Sequence, residues 1–150
     1  MKVLFVGIGS IGTRHLRNLH TVAAERGIEL DVTALRSSPR ALPEDVAALI
    51  NNQIMALDDT VYDLAFITNP TTLHYNALKD LKGKSKFFFI EKPIFEDSIY
   101  DIDELGLTDE NAYVACPMRY CGAYMKLKEI LKDEKPFSVR IICSSYLPGW

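Results

Sequence analysis

Cysteine is scarce in this chain and unpaired in its spacing. Cys116, Cys121 and Cys143 are the only three in 150 residues, and no two form a Cys-x-x-Cys pair. This usage argues against a disulfide framework and a structural metal, and it fits reduced thiols in a cytoplasmic protein. Excess positive charge is missing too. Lysine and arginine total 17 against 20 acidic residues, a net charge of −3. No basic footprint therefore points to nucleic acid or an anionic membrane surface. Long apolar runs are also absent. The densest, Phe87-Phe88-Phe89-Ile90, falls far short of the about 20 residues that span a bilayer. Lys2 leads into a strand and a glycine turn, not into an apolar segment with a small-residue cleavage site, so no secretory signal is expected. No repeat or low-complexity tract interrupts the chain. What remains is the composition of an ordinary soluble globular protein, 48% apolar and 25% charged. Its length suits one domain able to bury about two-thirds of its unfolded surface.

The stretch Met1-Lys2-Val3-Leu4-Phe5-Val6-Gly7-Ile8-Gly9-Ser10-Ile11-Gly12 organises the rest. Val3 to Val6 reads as a strand buried on both faces of a parallel sheet. Three glycines follow at Gly-x-Gly-x-x-Gly spacing, and a helical pattern begins directly after them. In a dinucleotide site each glycine has a physical task. Gly7 permits the tight turn out of the strand, Gly9 lets the backbone approach a pyrophosphate, and Gly12 lets the helix pack closely on the strand. Ser10 and Ile11 belong to the same turn. The diphosphate then rests on unpaired N–H groups at the positive end of the helix. The strand before and the helix after raise this motif above a chance run of loop glycines.

Leu16, Leu19 and Ala23 recur at helical spacing, and Gly27 is a natural stop. His15 lies beside this stripe and reads as a packed, hydrogen-bonded histidine rather than a ligand. Leu30 to Leu35 is a second strand, and its end bears on cofactor choice. A carboxylate there would bond the adenosine ribose hydroxyls and favour NAD. This chain has Arg36-Ser37-Ser38 instead. A guanidinium can grip a phosphate bidentately and two hydroxyls can add donors, so these residues suggest NADP, with NAD as the alternative. Ser37-Ser38-Pro39 can also cap the helix that follows, read over Pro43–Ile50 and ended by Asn51-Asn52-Gln53. A weak strand near Ile54-Met55 comes next.

Asp63 to Thr68 is another buried strand. It delivers Thr68, Asn69 and Pro70 to the carboxyl edge of the sheet, where ligands bind in open α/β folds. Thr71 is a plausible N-cap for a helix running to Gly83. His74, one turn in, reads first as a structural hydrogen-bonding group. Lys86 to Ile90 is a fifth strand, and it brings Glu91-Lys92-Pro93 to the same edge. A cis bond at Pro93 would fix the direction of Lys92. The Lys92 ammonium could bond a substrate hydroxyl or polarise a carbonyl, with burial easing proton exchange and Glu91 orienting it. A strand-terminal salt bridge reads the same residues equally well.

Gly7-Ile8-Gly9-Ser10-Ile11-Gly12, Thr68-Asn69-Pro70-Thr71 with His74, and Glu91-Lys92-Pro93, taken in order, resemble the Gfo/Idh/MocA family of glucose–fructose oxidoreductase and inositol dehydrogenase relatives. Asn111 to Tyr120 resembles that family's sixth strand and the turn after it. The resemblance runs over nearly the whole chain. It implies a Rossmann-type, doubly wound, mostly parallel α/β sheet over 1–120 that binds NAD(P). It also implies an oxidoreductase that transfers hydride between nicotinamide and a sugar, polyol or related cyclic alcohol. Lys92 would be the catalytic residue, and His74, Glu91, Lys92 and Arg119 would join the cofactor contacts. The hydride chemistry is the cofactor's own. The alternative is a non-catalytic NAD(P)-binding regulatory or partner module.

Two departures qualify the match. The family carries an acidic residue where this chain has Arg36. Family members also continue into a second α/β domain that supplies most of the substrate pocket. Here residues 121–150 read as a linking helix around Glu129-Ile130-Leu131 and that domain's first strand, Phe137 to Tyr146, with no sheet to join. A truncated chain without turnover of its own is expected, and the lone strand is expected to pair with another copy, fold back or remain disordered. A homo-oligomer is therefore within the expectation.

Overall fold

The computed structural model describes residues 1–142. It divides into two units, Met1–Ala115 and Cys116–Trp150. The first unit is built on a six-stranded, all-parallel sheet: β1 (Lys2–Val6), β2 (Asp31–Leu35), β3 (Asn52–Ile54), β4 (Leu64–Ile67), β5 (Phe88–Ile90) and β6 (Ala112–Val114). Their spatial order is β3-β2-β1-β4-β5-β6. The chain winds outward from β1 in one direction, returns past it, and winds outward in the other. This order reverses between β1 and β4, which opens a crevice at their carboxyl ends.

Helices α1 (Ser10–Glu25), α2 (Glu44–Ala47) and α3 (His74–Asp80) connect the strands. The apolar runs explain the layering. Alternate residues of a strand point to opposite faces, so a strand covered on both sides must be apolar throughout. Val3, Phe5, Val32 and Phe66 face Leu16 of α1 and Val46 of α2. Leu4, Val6, Ala65 and Ile67 face Leu78 and Leu81. Phe5 and Phe66 stack with ring centroids 4.4 Å apart. Burying a side chain such as Leu16 contributes about 2 kcal/mol.

Several local expectations change. Helix α2 is shorter than Pro43–Ile50, and Asn52-Gln53 opens β3 instead of ending the helix. The cause is Asn51, whose Oδ1 accepts the Val32 N–H at 2.8 Å while its own N–H donates to the Val32 carbonyl at 2.9 Å. Those bonds draw the chain alongside β2. Ser37-Ser38-Pro39 caps no helix: Pro43 holds the N-cap position of α2, and Ser38 Oγ accepts the Arg40 N–H in a local turn. Thr71 is not an N-cap either. Pro70 precedes a 3-10 turn at Thr71–Leu73 without a side-chain cap, and its carbonyl accepts the Leu73 N–H at 2.8 Å.

The second unit holds a 3-10 turn at Pro117–Tyr120 and α4 (Gly122–Ile130). The expected strand Phe137 to Tyr146 is not formed over 137–142, and 143–146 lie outside the described residues. A strand's N–H and C=O groups need a paired neighbour, and the second unit has no described strand to supply one. Among the described residues, no helix is long and apolar enough to cross a membrane.

Candidate functional site

The carboxyl ends of β1, β2 and β4 surround a cleft of about 730 Å³. Its floor is the glycine turn. Gly7 has φ of +89°, and a Cβ there would lie 3.0 Å from the Asn69 Cα, so only glycine suits the position. At Gly12 a Cβ would come within 2.5 Å of the Gly7 carbonyl oxygen and 2.9 Å of Thr68 Oγ1. Close packing of α1 on the strands therefore requires that glycine. A Cβ at Gly9 would meet nothing within 4 Å. Gly9 is the N-cap of α1, which has neither a side-chain cap nor an acidic residue in its first turn. The first N–H groups of a 16-residue helix thus have no side-chain acceptor at the cleft floor.

Thr68 and Asn69 come from the end of β4. Thr68 is buried, and its hydroxyl donates to the Gly7 carbonyl at 2.7 Å, tying the glycine turn to β4. Asn69 Oδ1 is buried and accepts no hydrogen bond. A buried acceptor without a donor is costly unless a ligand supplies one. Arg36, Ser37 and Ser38 reach the cleft from the end of β2. The Arg36 guanidinium donates to Gln53 Oε1 at 2.7 Å and to the Arg40 carbonyl. Gly7, Gly9, Ser10, Ile11, Arg36, Ser37, Ser38, Thr68, Asn69 and Pro70 all line this one cavity.

The remaining predicted residues lie elsewhere. His74 is 1% exposed and does not line the cleft. Its Nδ1 lies 3.1 Å from the Ile94 carbonyl and its Nε2 3.0 Å from the Asn69 carbonyl. Both ring nitrogens thus face backbone carbonyls, the arrangement of a structural hydrogen-bonding group. It holds Asn69 in place. Glu91 does not orient the Lys92 ammonium. Its Oε1 lies 2.6 Å from His15 Nε2, and its Oε2 accepts the Lys92 backbone N–H at 3.1 Å. His15 packs edge-on to Phe89, with centroids 4.9 Å apart. It is the packed histidine its position suggested, with a carboxylate partner that sequence spacing did not reveal. Lys92 is exposed rather than buried, and its bond to Pro93 is cis. Arg119 belongs to the 3-10 turn of the second unit.

Sequence reading missed the apolar wall of the cleft. Leu35, Met55, Leu57, Leu73 and Ala77 line it. Leu35 and Ala77 were legible as apolar members of a strand and a helix, but nothing in their spacing separated a core face from a cleft face. On the far side of α3, hydrogen bonds from Lys79 and then Tyr75 hold the Glu104 carboxyl below the usual carboxylate range.

The geometry can be set beside known proteins. Residues 1–120 match the model of the oxidoreductase family with an NAD-binding Rossmann fold, Gfo/Idh/MocA. No curated protein matches the chain. Among solved structures, a probable dehydrogenase from Thermotoga maritima superposes with a TM-score of 0.70 at 20% identity, over 89% of this chain and 41% of that one. Scyllo-inositol dehydrogenase from Lactobacillus casei, solved with NAD(H) and scyllo-inositol, gives 0.66 at 22% identity, over 88% and 41%. The WlbA dehydrogenase from Thermus thermophilus, solved with NAD and UDP-GlcNAcA, gives 0.67 at 22% identity, over 91% and 48%. The chain therefore spans less than half the length of these structures, and at these identities the likeness shows the fold. With the glycine turn, the strand order and the family match over residues 1–120 in agreement, the chain belongs to the Gfo/Idh/MocA oxidoreductase family, whose defining part is an NAD-binding Rossmann fold.

Proposed function

We propose that the cleft holds a nicotinamide adenine dinucleotide, NADP in preference to NAD, and that the chain is the cofactor domain of an oxidoreductase acting on the CH–OH group of a sugar, polyol or related cyclic alcohol. One observation carries the reading. The uncapped N-terminus of α1, the open space over Gly9 and Asn69, whose Oδ1 is buried and unpaired, all border one cavity. A pyrophosphate suits the first two features, because unpaired helix N–H groups and the helix dipole both favour an anion.

The first residues of α1 would hold the diphosphate, with Ser10 and Ile11 at the turn. Leu35, Met55 and Leu57 offer an apolar wall for a flat ring. Arg36, with Ser37 and Ser38, would take a 2′-phosphate. Asn69 Oδ1 would accept from a ribose hydroxyl or an amide. When bound, the cofactor supplies a hydride acceptor or donor at the nicotinamide ring. Lys92, free of the carboxylate beside it, would hold the substrate oxygen and exchange its proton.

Residues 1–120 are proposed as the cofactor domain and 121–150 as the start of a further domain that completes the substrate pocket. On this reading the 150-residue chain alone shows no turnover, and it works in the cytoplasm on a small sugar-like molecule. Calorimetry with NADPH and NADH side by side tests the proposal. NADPH should bind more tightly by about 1–3 kcal/mol, the scale of charge-assisted hydrogen bonds, and Arg36→Asp should remove the difference. Binding of neither cofactor would refute the site. A preference for NADH, unchanged in the variant, would refute NADP alone.

A further inference from the structure

We propose that Gln53, together with the Arg40 carbonyl, clamps the Arg36 guanidinium, which makes Gln53 a positioning residue that decides between phosphorylated and unphosphorylated dinucleotides. The inference rests on the cofactor reading above and deepens it.

The clamp follows from register. In the parallel pairing of β2 with β3, Ala34 lies opposite Gln53. Arg36 is two residues beyond Ala34, and its N–H continues the ladder to the Ile54 carbonyl at 2.9 Å. Residues two apart on a strand point the same way, so Arg36 and Gln53 leave the same face as diagonal neighbours. The Gln53 side chain then reaches Nη1 at 2.7 Å, while the Arg40 carbonyl takes Nη2.

Both partners are neutral. By contrast Arg17 meets the Asp45 carboxylate, and among the described residues Arg36 forms no ion pair. The clamp therefore removes side-chain freedom without cancelling charge. A free arginine loses much rotamer entropy when it grips a ligand, and a held one has already lost it. The guanidinium has five N–H donors in a rigid fork, and these bonds leave others for phosphate oxygens. A glutamate at position 53 would have held the fork equally well but neutralised it, and it would have repelled a phosphate.

The test is the affinity of the full chain for NADPH and NADH in Gln53→Met, Gln53→Glu and Arg36→Ala. Gln53 is on the exposed edge strand, and methionine keeps its length while removing the acceptor. Gln53→Met should weaken NADPH about fivefold, the scale of one net hydrogen bond, and leave NADH within about twofold. Gln53→Glu should weaken NADPH about tenfold or more, because the new carboxylate both pairs the fork and repels the phosphate. Arg36→Ala should abolish the preference. An equal loss of NADPH and NADH in Gln53→Met would reduce Gln53 to a structural role and overturn the inference. So would an unchanged ratio in Gln53→Met beside a collapsed ratio in Arg36→Ala, with the cofactor reading intact. An unchanged ratio in Arg36→Ala would sink the phosphate reading itself, and binding of neither dinucleotide would sink both.

Discussion

The turns that leave β1 and β5 emerge from the same edge of one parallel sheet, yet they are made of different material. The β1 turn is nearly all backbone. Its shape depends on missing side chains at Gly7 and Gly12, and on a Thr68 hydroxyl that holds the Gly7 carbonyl. The β5 turn is made of charged side chains, and its main bond crosses to another element: Glu91 pairs with His15, 76 residues earlier in the chain. The contrast separates two ways of building a ligand edge. Backbone N–H groups suit a diphosphate that every dinucleotide carries. Side-chain charge suits the chemistry that varies from one reaction to another.

The comparison can be broken most severely at Gly12. Valine there must displace the Gly7 carbonyl, and overpacking of this kind costs about 3 kcal/mol. Gly12→Val should lower the urea midpoint accordingly and abolish dinucleotide binding. A stable, binding-competent variant would show that helix and strand can part without consequence. The next effect falls on the β5 turn. Glu91→Ala removes the partner of a half-buried imidazole, which should cost about 1–2 kcal/mol and free the Lys92 backbone N–H. Its signature is faster amide exchange across Glu91 to Ile94, with the β1 turn still protected.

Acid should act on the opposite edge of the sheet, away from both turns. The Asp63 carboxyl accepts the Lys86 ammonium at 2.7 Å and the Lys2 N–H at 2.8 Å, and these bonds, the Lys86 one first, hold its pKa below the usual carboxylate range. A folded value below the unfolded one contributes stability above the ordinary carboxylate pKa, and that contribution is lost as the pH falls through the folded value. The melting temperature should therefore decline as the pH drops below about 4, and Asp63→Asn should flatten part of that decline. The smallest effect on stability is expected at Gly9. Alanine there meets nothing and leaves φ at −84°, so the midpoint should shift by less than about 0.5 kcal/mol. NADPH and NADH binding should nevertheless fall sharply in Gly9→Ala. Loss of binding with the fold intact, set against Gly12→Val, separates the glycine that serves the ligand from the one that serves packing.

Much of this was determined by the sequence itself. Val3 to Val6 was legible as a buried strand, because a strand covered on both faces reads as an unbroken apolar run and a glycine turn closes this one after four residues. The glycine spacing set the β1 turn and the start of α1, since the positive φ of Gly7 and the Gly12 contact with the Gly7 carbonyl are local, while the contacts of both glycines with Asn69 and Thr68 come from β4 in the folded sheet. The order of strands and helices followed from the alternation of such runs with helical stripes. Short segments were harder to read. The Asn51 side chain bonds Val32 and converts an expected helix end into β3. Only the tertiary structure chose the partners of charged and polar groups. Glu91 had Lys92 beside it in sequence and took His15 instead, and Arg36 found Gln53 across a strand pair. The reason is range: backbone conformation responds to a residue and its immediate neighbours, whereas an ion pair or a clamp depends on which distant strands the folded sheet lays side by side.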